Sequence, residues 1–324
     1  MKTPIGGFFE LEVAGGRGPY HTNAVPLCSG RACLRSILEL MRPSRVWVPF
    51  YVCDAVFQAF TAAGVATELY SIDEAFDPVL PAGSPAGGEG LVYVNYFGLK
   101  TSTAASLVAA YPGQVIVDDT QSFFTKGYAG GWSFNSARKF FGVPDGGYAY
   151  GGGLPDGDCP RVPKVHYEHL VNRLLGRQAL AYEQYRQSES QVPIDIWRMS
   201  VLSERLLASI DYAVVRDRRL RNFAALHEAF ARRNCRASLL APEASEVPYC
   251  YPLSTAEPVR WNDLWSRGIF VPRLWPQLSE RADSRRFARE SMVAERLMPL
   301  PIDHRYTPED LDGLVHVVNE VMRW

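Results

Sequence analysis

From Arg31 onward the apolar positions Ala32, Leu34, Ile37, Leu38 and Met41 recur at helical spacing, and Ser29-Gly30 stands just ahead of them as a cap. Val46-Trp47-Val48 then reads as a short buried strand stopped by Pro49. A helix is predicted over 54–63, ended by Gly64, and a second strand over 65–72. Beyond a Pro/Gly-rich loop at 81–90, the pattern gives a strand over 91–96, a helix over 102–111 and a strand over 115–117. Strands that are apolar almost throughout, alternating with helices, predict an α/β fold with a mainly parallel sheet. Ligands of such sheets sit beyond the carboxyl ends of the strands, where Asn95 and Asp118 both fall.

Past the loop at 151–163 the pattern changes to charged amphipathic helix, over 166–187 and again over 202–232. Short strands are predicted at 248–253 and 268–271, and a closing helix over 308–322 with Thr307 as its cap. This change of character divides the chain into a large lobe, 16–200, and a smaller α+β lobe, 201–324, with segment 1–15 expected to pack on the latter. Neither an internal repeat nor a low-complexity tract interrupts the pattern.

With 47% apolar and 21% charged residues among 324, the chain can bury one large core or two ordinary ones. Thirty-four basic against thirty-five acidic residues leave a formal charge of −1, which argues against nucleic acid or an anionic membrane as partner. The six cysteines include no C-x-x-C pair and no His/Cys cluster at zinc spacing, so they read as reduced thiols, mostly small buried side chains, and no metal is expected. The first ten residues lack the basic start and apolar block of a signal peptide, and a cytoplasmic location is expected.

The chemistry-bearing stretch is Val115 to Gln121, followed by Ser133-Phe134-Asn135-Ser136-Ala137-Arg138-Lys139 and Asp145-Gly146-Gly147. An apolar strand ending in a carboxylate, then a loop with hydroxyls and one amine, suits pyridoxal phosphate: an acid for the pyridine nitrogen and a lysine for the aldehyde. Asp118 would be that acid, and Gln121 could reach the ring's phenolic oxygen. Ser133, Ser136 and Arg138 surround Lys139, the candidate amine. Ser29-Gly30-Arg31 opens a helix whose free amides offer a phosphate seat. A dinucleotide fold is disfavoured, because no G-x-G-x-x-G turn follows the first strand.

Together these segments resemble the DegT-like nucleotide-sugar aminotransferases, within the fold-type-I pyridoxal-phosphate enzymes, over most of the chain. The resemblance is carried by Ser29-Gly30-Arg31-Ala32-Cys33-Leu34, Val46-Trp47-Val48-Pro49, Asp118 with Gln121, Trp197-Arg198-Met199-Ser200, and Pro299-Leu300-Pro301-Ile302-Asp303 before Thr307-Pro308-Glu309-Asp310. It implies a homodimer that transfers an amino group from an amino acid such as glutamate to a keto-sugar on a nucleotide, in a role such as polysaccharide biosynthesis.

The sequence departs from the family in three places. The family's lysine usually stands five residues after the serine of a Ser-Phe pair. That count from Ser133 lands on Arg138, with Lys139 one later. Arginine cannot form the bond, since its guanidinium stays protonated, and Lys139 is the expected residue, with Ser136 three before it. Where the family tends to place an aromatic four residues after the proline, this chain has Cys53, so that Tyr51 or Tyr96 is expected to supply the stacking face, though either could equally be core. Ile196 replaces the asparagine that reaches the partner subunit's phosphate. Two alternatives follow from the Arg138 register: a dehydratase of deoxysugars, or a noncatalytic member that binds a sugar nucleotide or a partner protein.

Overall fold

A computed structural model describes residues 11–324 apart from 17, 156–158 and 240, so most of the segment expected to pack on the small lobe lies outside the described residues. The first half of the chain runs through β1 (Val25–Leu27), α1 (Gly30–Met41), β2 (Val46–Pro49), α2 (Asp54–Ala63), β3 (Thr67–Ile72), β4 (Pro78–Val79), β5 (Gly90–Val94), α3 (Thr101–Ala110), β6 (Val115–Asp118), β7 (Trp132–Phe134) and β8 (Gly147–Tyr150). These strands form one sheet in the order β1-β8-β7-β6-β5-β2-β3-β4. The run β7-β6-β5-β2-β3 is parallel, while β8 opposes both its neighbours and β4 opposes β3. Every residue of β2, β5 and β6 is buried, which explains their unbroken apolar sequences.

The second half contains α4 (Glu168–Leu174), α5 (Gln178–Ser190), α6 (Val201–Ala208), α7 (Tyr212–Phe230), β9 (Cys250–Ser254), α8 (Trp261–Ser266), α9 (Ala288–Arg296), β10 (Leu297–Pro301) and α10 (Pro308–Met322). β9 and β10 pair antiparallel as a separate two-stranded sheet. Thr307 caps α10 in a reciprocal box with Asp310.

Three expectations are corrected. The helix expected over 166–187 breaks at Gly176, whose φ of 75° favours glycine, and becomes the α4–α5 hairpin. The helix expected over 202–232 is also two, because Asp211 accepts from the amides of Ala213 and Val214 and starts α7 afresh. The segment 268–271 forms no strand: Gly268, at φ 79°, follows the end of α8, and β10 takes the place beside β9. The thiols are all free, but Cys235 is exposed rather than buried.

The two halves share buried contacts at the corner that follows β2. Tyr51 donates its hydroxyl to Leu274 O at 2.7 Å, Arg281 donates to Phe50 O and Val52 O at 2.6 and 2.7 Å, and Phe287 stacks on Phe50 at 4.4 Å. Among the described residues no helix is long and apolar enough to cross a membrane.

Candidate functional site

Parallel strands that end together bring their following residues together, and here the carboxyl ends of β6 and β7 meet the start of α1. Asp118, the last residue of β6, is 4% exposed and makes no ion pair within 4 Å among the described residues. Its Oδ1 accepts the Thr120 amide at 2.9 Å. Burial pushes its pKa up, opposed by the charge of Lys139 and by bonds from Thr120. Its neighbour Asp119 turns the other way, as alternation along a strand requires, and is bound by Asn95 at 2.9 Å and the Tyr128 hydroxyl at 3.0 Å.

Lys139 ends a single helical turn, Ala137–Lys139, beyond β7. Its Nζ donates to Thr120 Oγ1 at 2.8 Å. Thr120 also touches the head of α1, for a Cβ built on Gly30 would lie 3.5 Å from its methyl group and 3.4 Å from Asn135 O. One threonine therefore links the carboxylate, the amine and the helix terminus.

At that terminus Ser29 caps α1, accepting from Ala32 N at 3.0 Å and donating to Pro193 O at 2.6 Å. Arg31 donates to Val192 O at 3.3 Å and so faces the chain after α5. The first amides of a helix have no partner within it, and the macrodipole there favours an anion. Arg138 points away from Lys139 and ion-pairs with Glu189 near the end of α5. Ser136 stands at the mouth of the turn, half-buried, and its carbonyl accepts from Lys139 N at 3.4 Å.

Other expected site residues lie deeper. Tyr51 and Tyr96 are both fully buried, and the Tyr96 hydroxyl donates to Tyr51 O at 2.8 Å. Neither offers a face to a ligand, so the stacking expected of them is corrected to the core position that the sequence also allowed: they pack with Phe76 and Trp275. Asn95, also fully buried, spends its amide on Asp119 and Thr101 and its carbonyl on Lys100 N, which makes it a brace for the turn after β5. Gln121, 1% exposed, accepts the Phe97 amide through Oε1 at 2.8 Å, and Gly98 lies so close that a Cβ there would come within 2.6 Å of the Gln121 main-chain carbonyl. Ser133 is 1% exposed inside β7. Cys53 is half-buried at the head of α2. Thr120 and Glu189 were not among the expected site residues; Thr120 was signalled only by its place between Asp118 and Gln121.

No protein-family model matches the sequence, and no curated protein matches it. Solved structures do. A DegT DnrJ EryC1 StrS aminotransferase from Brucella abortus superposes with a TM-score of 0.63 at 16% identity, covering 92% of this chain and 85% of that one. The fold is the one such aminotransferases have. The sugar aminotransferase CalS13 from Micromonospora echinospora gives 0.62 at 15% identity, over 92% and 87% of the two chains. DesV from S. venezuelae, solved with a ketimine intermediate, gives 0.64 at 18% identity, over 92% and 84%. The α/β architecture expected from the strand and helix pattern, with the fold-type-I arrangement implied by the resemblance, is thus present across nearly the whole chain.

Proposed function

We propose that this chain is a pyridoxal-phosphate-dependent aminotransferase that converts a keto-sugar carried on a nucleotide into an amino sugar, with an amino acid such as glutamate as donor. The observation that carries the reading is the meeting of Lys139 Nζ and the Asp118 carboxylate on Thr120, beside the head of α1. Structures similar in fold, with aminotransferase chemistry in their descriptions and a PLP-form among them, support the cofactor.

The residues fit the group. A buried carboxylate that makes no direct ion pair within 4 Å among the described residues suits a protonated ring nitrogen, and the head of α1 with Ser136 suits a phosphate. Bound there, pyridoxal phosphate would supply an aldehyde for the amine and an electron sink for the carbanion. Lys139 would hold the aldehyde and then carry the proton at the substrate carbon, with Thr120 setting the direction of Nζ. Asp118 would keep the ring nitrogen protonated. The donor leaves as its 2-oxo acid and the keto-sugar as the amine, so nitrogen and oxygen exchange places with no external oxidant.

Arg138, engaged by Glu189, argues against the alternatives in which it occupies the position of the lysine. A homodimer is part of this reading. Leu174, Leu175 and Tyr182 stand 86%, 58% and 61% exposed on the outer side of the α4–α5 hairpin, an apolar surface that a second copy would cover.

Adding pyridoxal phosphate to the purified protein, reducing with borohydride and mapping peptides should find a pyridoxyl adduct on Lys139. With glutamate and nucleotide-linked keto-sugars, 2-oxoglutarate should then form. Absence of any adduct would remove the reading.

A further inference from the structure

A cavity opens at the end of the sheet opposite the candidate site. Asp118 and Lys139 stand at the carboxyl ends of β6 and β7, whereas Gly113 and Trp132 lie at the amino ends of the same strands, on the order of 15 Å away along them. Around these amino ends and Tyr150, the last residue of the antiparallel β8, the surface holds a space of about 510 Å³. That is the size of a small-molecule site, and the amino transfer proposed above does not use it.

Two aromatic rings wall the cavity, and glycine lets the backbone lie against each. A Cβ on Gly151 would come within 2.1 Å of the Trp132 ring, and one on Gly127 within 2.8 Å of the Tyr150 ring. The polar tips of both rings are tied down: Trp132 Nε1 donates to Gly113 O at 3.3 Å, and the Tyr150 hydroxyl bonds to His21 Nδ1 at 2.6 Å. Both side chains stay half-buried, leaving part of each ring to the cavity.

The charge around it has one sign. Among the described residues Lys126 is the single charged side chain on the wall, and it makes no ion pair; its exposed ammonium rests 4.5 Å from the centroid of the Tyr20 ring. The exposed amides of Ala129, Gly130 and Gly152 donate to no protein acceptor among the described residues. Free amides in glycine turns, with φ at 79° in Gly127 and Gly130, together with an unpaired ammonium attract an anion. Aromatic faces held in place attract a flat ring. A nucleotide carries both.

We propose that this cavity is a second binding site, for a nucleotide whose base lies on Trp132 and Tyr150 and whose phosphates meet Lys126 and the glycine amides. The site stands apart from the pyridoxal-phosphate reading and holds whether or not that reading does.

Calorimetric titration of the full chain, saturated with pyridoxal phosphate, with uridine and adenosine diphosphates tests it. Lys126→Glu and Trp132→Ala should each weaken binding roughly tenfold. Gly152→Glu, at a position with ordinary φ and open space around its Cβ, should do the same without disturbing the fold, while the pyridoxyl adduct on Lys139 forms as before. Glucose 1-phosphate and inorganic phosphate, which lack the base, should bind at least tenfold more weakly than the diphosphates. Irradiation with azido derivatives of the same nucleotides should label the peptides that carry residues 126–132 or 150–153. Label confined to other peptides would overturn the proposal, as would nucleotide affinity unchanged in both Lys126→Glu and Gly152→Glu, or glucose 1-phosphate binding as tightly as the nucleotides.

Discussion

Arg138 and Lys139, adjacent in sequence, serve different partners: the guanidinium pairs with Glu189 on α5, and the amine donates to Thr120 at 2.8 Å beside Asp118. The single turn Ala137–Lys139 separates them, since successive residues of so tight a helix point in directions about a third of a turn apart.

Substituting the two should therefore have separable effects. Lys139→Met is expected to abolish the pyridoxyl adduct and lower amino transfer by roughly a thousandfold or more, as loss of a covalent nucleophile does. Arg138→Met should keep the adduct. Peptide mapping after reduction, beside initial rates, reads both outcomes.

Thr120→Val conserves shape and removes the hydroxyl that receives Lys139. Because Lys139 is exposed, water replaces that bond, but the buried Asp118 also loses the bond from the hydroxyl, so the stability cost should be about 1–2 kcal/mol. Adduct formation should slow, since nothing then directs the amine. Urea unfolding and the rate of absorbance change after adding cofactor would separate the two effects.

Burial raises the pKa of Asp118, and a carboxyl raised on folding contributes stability below its ordinary pKa that is lost as pH rises through the folded value. In cofactor-free protein Asp118→Asn should therefore be stabilising at neutral pH, by on the order of 1 kcal/mol, while amino transfer collapses. The amide can still accept from Thr120 N. A thermal melt of the apo protein across pH 4 to 8, roughly the range in which carboxylates with raised pKa values titrate, should show the difference narrowing toward acid.

His21 gives the opposite pH dependence. It is 3% exposed, bonded to the Tyr150 hydroxyl at 2.6 Å and Asn135 at 3.2 Å, and burial lowers its pKa to about 3. Unfolded chains protonate first, so stability should fall as pH drops from the ordinary value of 6.5 toward 3, by a total on the order of 5 kcal/mol. His21→Gln should flatten melting temperature against pH in that range.

The sheet was legible wherever a strand is buried on both faces: β2, β5 and β6 carry continuous apolar runs, and α2 and α10 were bounded by Gly64 and Thr307. β1, β7 and β8 escaped because three or four residues among aromatics and glycines have no period to read. At the site, Asp118 and Lys139 could be named from residue type and spacing. Tyr51 and Tyr96 could be read from sequence as stacking rings or as core, because sequence shows that a ring is near a strand end but not what covers it, and both are buried core. Glu189, which holds Arg138, lies some fifty residues beyond the lysine, on a hairpin whose break at Gly176 no residue period marks.

The clamp of Arg281 on the corner after β2 has a mechanical consequence. Its bonds to Phe50 O and Val52 O, its pairing with Asp54 and the Tyr51 hydroxyl on Leu274 would all have to break before the halves could swing apart. Opening by a wide jaw-like rotation is thus disfavoured, with the joint serving as a fixed frame on which both halves of the chain are hung.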